Sequence, residues 1–416
     1  MSNTAFRRLA WSNLAAQSAE QTSLAAVPMV AVLALGAGAA QTGLLSAAQT
    51  LPFLLMSIPA GLLADRHSRR NLLVAAEALR ALSLFALAWL AFAGQLSIEW
   101  LALLGFVGAT GTVAFSVAAP SLVPALVPRE QLPGANARLE IARSIAFAGG
   151  PALAGALVGW AGGPPAFVFA LALSCLAVAT LRTLPDPPRP ALPPRHVLHE
   201  LPGPRRGLFE SLGARLIWRH ALLRPIMWTA VVWNITWFVL QAAYVPYAVT
   251  VLGLSAASVG STLAAYGAGM VLGALLASRL MRALSFGSAV VVGPLFSAAA
   301  GLVMLATLWW PSGVLAAASF FLFGAGPVLW VVASTTLRQT VTPAPMLGRV
   351  SALFLTVNAG SRPVGAALGA TIAALLPGRA GLEACLGVVA LGFVVQALVI
   401  VASPLLRLQR LPEAVA

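Results

Sequence analysis

Long apolar runs separated by short polar breaks organise this chain from one end to the other. They fall near 9–36, 41–63, 71–93, 98–123, 138–159 and 163–181, and resume near 224–250, 258–281, 288–309, 313–335, 349–376 and 382–406. Each is long enough to cross a bilayer as a helix, which takes roughly 20 apolar residues. Lipid offers no water to exposed backbone groups, so the helix is the structure these runs predict. The expected fold is an all-α polytopic membrane protein with about twelve transmembrane helices.

One segment breaks the rhythm. Pro185-Asp-Pro-Pro-Arg-Pro-Ala-Leu-Pro-Pro194 cannot be a membrane helix and should be extended. From Gly207 to Leu223, Leu208, Leu212, Leu216 and Leu223 are set against Arg215 and Arg219. That stretch reads either as an amphipathic helix on the cytoplasmic face or as a solvated linker. The chain then divides into a six-helix bundle over 1–181, a cytoplasmic linker over 182–223, a second bundle over 224–406 and a tail over 407–416.

Composition agrees with a membrane protein. The chain is 60% hydrophobic and 9% charged, against about 25% charged in soluble domains. All 25 basic residues are arginine, and the net charge is +14. In a soluble protein that excess would suggest nucleic acid; here orientation and anionic headgroups account for it, and no nucleic-acid partner is expected. Arg7, Arg8, Arg66, Arg69, Arg70, Arg129, the run from Arg182 to Arg224, Arg279, Arg282, Arg338, Arg349, Arg407 and Arg410 all fall on one side. The opposite loops near 37–40, 94–97, 160–162, 251–257 and 310–312 contain none, and the last such loop has only Arg379. This predicts both termini in the cytoplasm of a bacterial inner-membrane protein. Cys175 and Cys385 lie inside apolar runs, so no disulfide framework is expected. No cleavable signal peptide is expected, because Asn13, Gln17 and Glu20 interrupt the first apolar stretch.

The loop after the second run, Gly61-Leu-Leu-Ala-Asp-Arg-His-Ser-Arg-Arg70, has the pattern G-x-x-x-D-R-x-x-R-R. It resembles the loop signature of the major facilitator superfamily. The two halves also echo each other: Pro128 and Pro343 align at an offset of 215, and so do Gly150 and Gly365. Parallel six-helix repeats around a central cavity match that architecture. The loops 128–136 and 339–350 look most similar to the exporter branch that includes the enterobactin exporter and macrolide efflux proteins. The resemblance implies alternating access, with Gly61, Asp65, Arg66, Arg69 and Arg70 forming a gate. Gly149-Gly-Pro-Ala-Leu-Ala-Gly155 resembles the antiporter signature G-x-x-x-G-P-x-x-G-G in part, through Gly150, Pro151 and Gly155. Its physical content is close helix packing and a kink.

Carboxylates inside the membrane are costly and each asks for a reason. Glu77 and Arg80 lie three apart on one helix face, as do Glu140 and Arg143, so both pairs can neutralise themselves. Glu20 has no arginine or histidine three or four positions away. Asn13, Gln17 and Glu20 follow the helical period and give the first helix a polar face. Glu20 is therefore either a proton carrier or the partner of the other isolated membrane charge, Arg362, in a structural ion pair. In the second half Asn234, Trp237, Gln241 and Tyr244 share a face with Phe238 beside it, either as an aromatic cavity wall or as helix packing.

No phosphate-cradling loop, metal cluster or nucleophilic triad is present, so no enzyme and no cofactor are expected. The expected function is proton-coupled export of a small amphipathic organic compound, a drug or a secreted metabolite such as a siderophore. The expected unit is a monomer exchanging cargo for protons in the bilayer. An uptake symporter, a lipid translocator, and a sensor or assembly factor that moves nothing are the competing readings.

Overall fold

The computed structural model describes residues 3–56, 59–60, 63, 68–128, 132–185, 212–343 and 346–412. The first half contains α1 (Asn3–Leu35), α2 (Ala39–Leu55), α3 (Arg69–Phe92), α4 (Ile98–Leu126), α5 (Leu132–Ala161) and α6 (Gly163–Arg182). A short α7 (Leu212–Arg219) precedes α8 (Leu223–Thr250), α9 (Ala256–Ala283), α10 (Phe286–Ala306), α11 (Gly313–Val341), α12 (Leu347–Leu375) and α13 (Arg379–Val401). Six long helices thus stand in each half, and no strand occurs among the described residues. Ten are long and apolar enough to cross a membrane by length and composition. The other two, α2 and α12, pack on each other across the two halves.

The local sequence explains where the helices begin and turn. Ser68, Ser97, Ser255, Ser285 and Ser312 cap α3, α4, α9, α10 and α11, each hydroxyl accepting from a backbone N–H in the first turn. On the arginine-poor side, the turns holding Gly36, Gly94, Gly162, Gly253 and Gly378 all place that glycine at positive φ. Without a Cβ the chain reverses there in a few residues. Several helices outrun their apolar stretches: α1 begins at Asn3 and α11 continues to Val341. Backbone hydrogen bonding continues past the point where side chains turn polar.

α7 lies within the stretch read from sequence as amphipathic. It buries Ala214 and Ile217 against the second half, and Trp218 meets the edge of Trp228 at 5.7 Å. Its apolar side is docked on protein. The rest of the linker, from 186 to 211, lies outside the described residues.

The two halves share one buried core at one end and have distinct buried cores at the other. Near the arginine-poor turns one buried core draws on both halves, including Val27, Met29, Leu87 and Phe167 with Tyr244, Tyr247, Phe320 and Phe393. Toward the arginine-rich end the buried residues fall into separate groups. Phe6, Leu9, Leu73, Phe115 and Leu122 belong to the first half; Leu223, Phe286, Leu337, Phe354 and Ile400 belong to the second.

The seam itself is backbone against backbone. A Cβ on Gly155 would come within 2.4 Å of the Ala256 carbonyl oxygen, and one on Gly260 within 2.4 Å of that of Pro151. A Cβ on Gly43 would come within 2.7 Å of Ala370, and Thr42 donates to the Ala242 carbonyl at 2.7 Å. Small residues make this approach of α5 to α9 and of α2 to α12 sterically open. The packing expected for the Gly150–Gly155 stretch is present: Gly150 fits against Gln21 and Thr22 of α1, and Gly155 against the opposite half.

Candidate functional site

Below the seam a cavity of about 370 Å³ lies between the halves. α1 contributes Glu20, Gln21 and Pro28; α2 contributes Ser46, Gln49 and Phe53; α3, α4 and α5 contribute Arg80, Thr112, Arg143, Phe147 and Pro151. The second half supplies Trp233, Asn234, Trp237, Phe238, Gln241, Tyr266 and Arg362. Four of the aromatic-face residues picked out in sequence, Asn234, Trp237, Phe238 and Gln241, therefore line it.

Three residues expected on the cavity, Tyr244 of the second-half face and Asn13 and Gln17 of the first helix, do not line it. Tyr244 is fully buried, its hydroxyl bonded to that of Thr262 and its ring edge-on to Phe320 at 4.5 Å. The next residue, Val245, still lines the cavity, so Tyr244 is excluded by the face it presents, toward Thr262 and Phe320. Asn13 and Gln17 are not part of the lining; on α1 the wall begins at Glu20. Both sit nearer the end where the halves carry separate cores.

Arg80 is the centre of the charged wall. Its guanidinium donates to Glu77 at 2.7 Å, to the Ala16 carbonyl at 3.1 Å and to the Thr112 hydroxyl at 2.8 Å. A fourth contact, at 3.7 Å, is to the carboxylate of Glu20. Glu77 stands behind it, fully buried, and also accepts from Ser174 at 2.6 Å. The Glu77–Arg80 pairing expected from spacing is present, and Arg80 additionally reaches a second acid from another helix. Glu20 thus pairs with Arg80, and no Glu20–Arg362 bridge within 4 Å occurs among the described residues. Helical spacing could not reveal this partner, because it belongs to α3.

Arg362 faces the same cavity from α12. Its guanidinium lies 4.7 Å over the ring of Phe53, and its buried Nε makes no hydrogen bond among the described residues. Glu20, Tyr266 and Arg143 are its electrostatic neighbours. Arg143 forms the expected pair with Glu140 at 3.2 Å, half exposed, and also lies 5.5 Å over Phe147. The aromatic wall continues through Phe147 to Tyr266 at 5.8 Å, Tyr266 to Trp237 at 5.1 Å, and Trp237 stacked on Trp233 at 5.3 Å. Gln49, Phe53, Phe147 and Tyr266 were not picked out in sequence, although Thr42, Ser46 and Gln49 follow the helical period on α2 and all three line the cavity.

Of the expected gate residues, Gly61, Asp65 and Arg66 lie outside the described residues. Arg70 donates to the Leu184 carbonyl at 3.1 Å, tying the start of α3 to the end of α6 within the first half. Arg69 begins α3 beside it. No group of three metal-ligating side chains occurs among the described residues.

Two bundles sealed at one end around a cavity with a charged and an aromatic wall define a multi-pass membrane transporter for a small molecule, not an enzyme. The chain belongs to the Major Facilitator Superfamily, whose family model matches residues 9–366. It is 29% identical over 315 residues to the enterobactin exporter EntS of Citrobacter koseri, covering 74% of this chain and 71% of that protein. The EntS of Escherichia coli O139:H28 is 28% identical over 313 residues, with the same coverage. Among solved structures, the nucleoside transporter NupG superposes with a TM-score of 0.73 at 14% identity, over 96% of this chain and 99% of that one. A bacterial homologue of the iron transporter ferroportin, in its inward-facing state, gives 0.70 at 17% identity, over 97% and 99%. At these identities the structures speak for the fold alone.

Proposed function

We propose that this chain is a proton-coupled exporter of a small amphipathic organic compound, working by alternating access in the bacterial inner membrane. The observation that carries the reading is Glu20: a cavity-wall carboxylate 3.7 Å from Arg80, at the seam between two bundles closed at one end only. With both termini and the linker in the cytoplasm, as the one-sided arginines predict, the closed end faces outward and cargo reaches the cavity from the cytoplasm. The enterobactin exporters among its relatives support the outward direction.

The cycle follows from the charges. Deprotonated, Glu20 and Glu77 together hold Arg80. A proton on Glu20 removes one of those attractions and leaves Arg80 to Glu77 alone. Protonation thereby changes the interaction between α1 and α3 beside the cargo, and a ligand shifts a two-state equilibrium only through such differential contacts. Gln21, Gln49, Asn234 and Gln241 offer hydrogen bonds to the cargo, and Trp237 and Phe238 offer apolar surface. Gly61, Asp65, Arg66, Arg69 and Arg70 would form the cytoplasmic gate that closes once cargo has loaded. Proteoliposomes with an imposed pH gradient test this reading. Glu20→Gln should bind cargo and fail to move it against a gradient; proton-driven transport undiminished in that variant would overturn it.

A further inference from the structure

The cavity lining carries three arginines and one carboxylate. Its ionisable lining residues are Glu20, Arg80, Arg143 and Arg362, besides Tyr266. Arg80 is spoken for, held between Glu20 and Glu77. Arg143 has Glu140 on its own helix. Arg362 has no carboxylate within 4 Å among the described residues, and its buried Nε has no acceptor. Nor can its own half provide one: between 224 and 412 the sequence contains a single acid, Glu383, which is bridged to Arg379 at 2.6 Å.

We propose that Arg362 is the seat for an anionic group on the cargo, and that the cargo is an organic anion bearing an aromatic ring. This rests on the reading of the central cavity as the cargo site. The Arg362 guanidinium lies 4.7 Å over the Phe53 ring, on the cavity wall, and presents a rigid planar set of N–H donors. Such a fork fits a carboxylate by paired charge-assisted hydrogen bonds. Burial makes a lone cation costly and a docked anion correspondingly favourable. Arg143 adds a second positive charge near Arg362, and Tyr266, in electrostatic reach of both, begins the wall that leads to Trp237. Anion and ring are therefore received side by side.

The test is calorimetric binding to the purified full chain in detergent, with three probes of one shape: 2-naphthoate, neutral 2-naphthamide and cationic 2-naphthylmethylammonium. The naphthoate should bind roughly tenfold or more tighter than the other two. Arg362→Gln should erase that preference and Arg362→Lys should keep part of it, because Lys retains charge without the fork. If Arg362→Gln fails to fold, the three-probe comparison and the Lys variant still decide. Equal binding of the three, binding of none, or a preference that survives Arg362→Gln overturns the assignment. Binding is read without transport, so an anion preference with no proton-driven flux fails the export reading alone, and proton-driven flux with no anion preference fails this one alone.

Discussion

Glu20 on α1 and Glu77 on α3 share one guanidinium, that of Arg80, yet meet it in different surroundings. Glu77 is fully buried and 2.7 Å away; Glu20 is 18% exposed, on the cavity wall, and 3.7 Å away. The inner contact is built to hold the bundle, and the outer one is open to change.

The two acids should therefore separate by experiment. Arg80→Met leaves Glu77 uncompensated in the interior and should cost about 3–5 kcal/mol of stability. Glu20→Gln should melt close to the parent and lose proton-driven transport. Thermal melts and proteoliposome flux on the same preparations check both. A Glu20→Gln protein as unstable as Arg80→Met would make Glu20 a structural strut.

The glycine seam should control which side is open. Gly155→Leu places a side chain where the Ala256 carbonyl and Gly260 now sit, so the sealed state cannot close as tightly. In a Cys175→Ser background, Ser46→Cys on the cavity wall should then react faster with a membrane-impermeant maleimide added outside intact cells. An unchanged labelling rate would mean that the seam is not the outer gate.

Topology is open to a direct check. Compartment-sensitive reporters fused at 37–40 and at the C-terminus should give opposite signals, as the arginine distribution predicts. The same signal from both would remove the twelve-span arrangement.

An anionic cargo also has an electrical consequence. One-for-one exchange of a monoanion outward for a proton inward carries two positive charges into the cell per cycle. Each contributes about 2.3 kcal/mol per 100 mV. A negative-inside potassium diffusion potential should therefore accelerate export at zero pH gradient. Export indifferent to the potential would exclude that stoichiometry.

Much of the architecture was legible in the sequence because it depends on properties of single segments. Apolar length marks the helices, and the side on which arginines fall orders them. The Glu77–Arg80 and Glu140–Arg143 pairs were legible for the same reason, since residues three apart are neighbours on a helical turn. The Glu20–Arg80 contact was not, because it joins α1 to α3 and no periodicity within either helix records which faces meet. Tyr244 shows the other limit. Its period matches Asn234 and Trp237, but it packs on Thr262 and Phe320 while the adjacent Val245 lines the cavity, and period alone does not choose between neighbouring faces.

The second half contains one acid in its described length, Glu383, exposed at its far end. With Glu20 as the proposed proton carrier, proton handling falls to the first bundle, and the second supplies Trp237, Phe238, Gln241 and Arg362 to the proposed cargo wall, beside Gln21 and Gln49 of the first. Such a division leaves selection free to retune one bundle for a new compound while the engine in the other is inherited unchanged. Diversification within this lineage should accordingly accumulate on the cavity faces of α8 and α12 and spare the neighbourhood of Arg80.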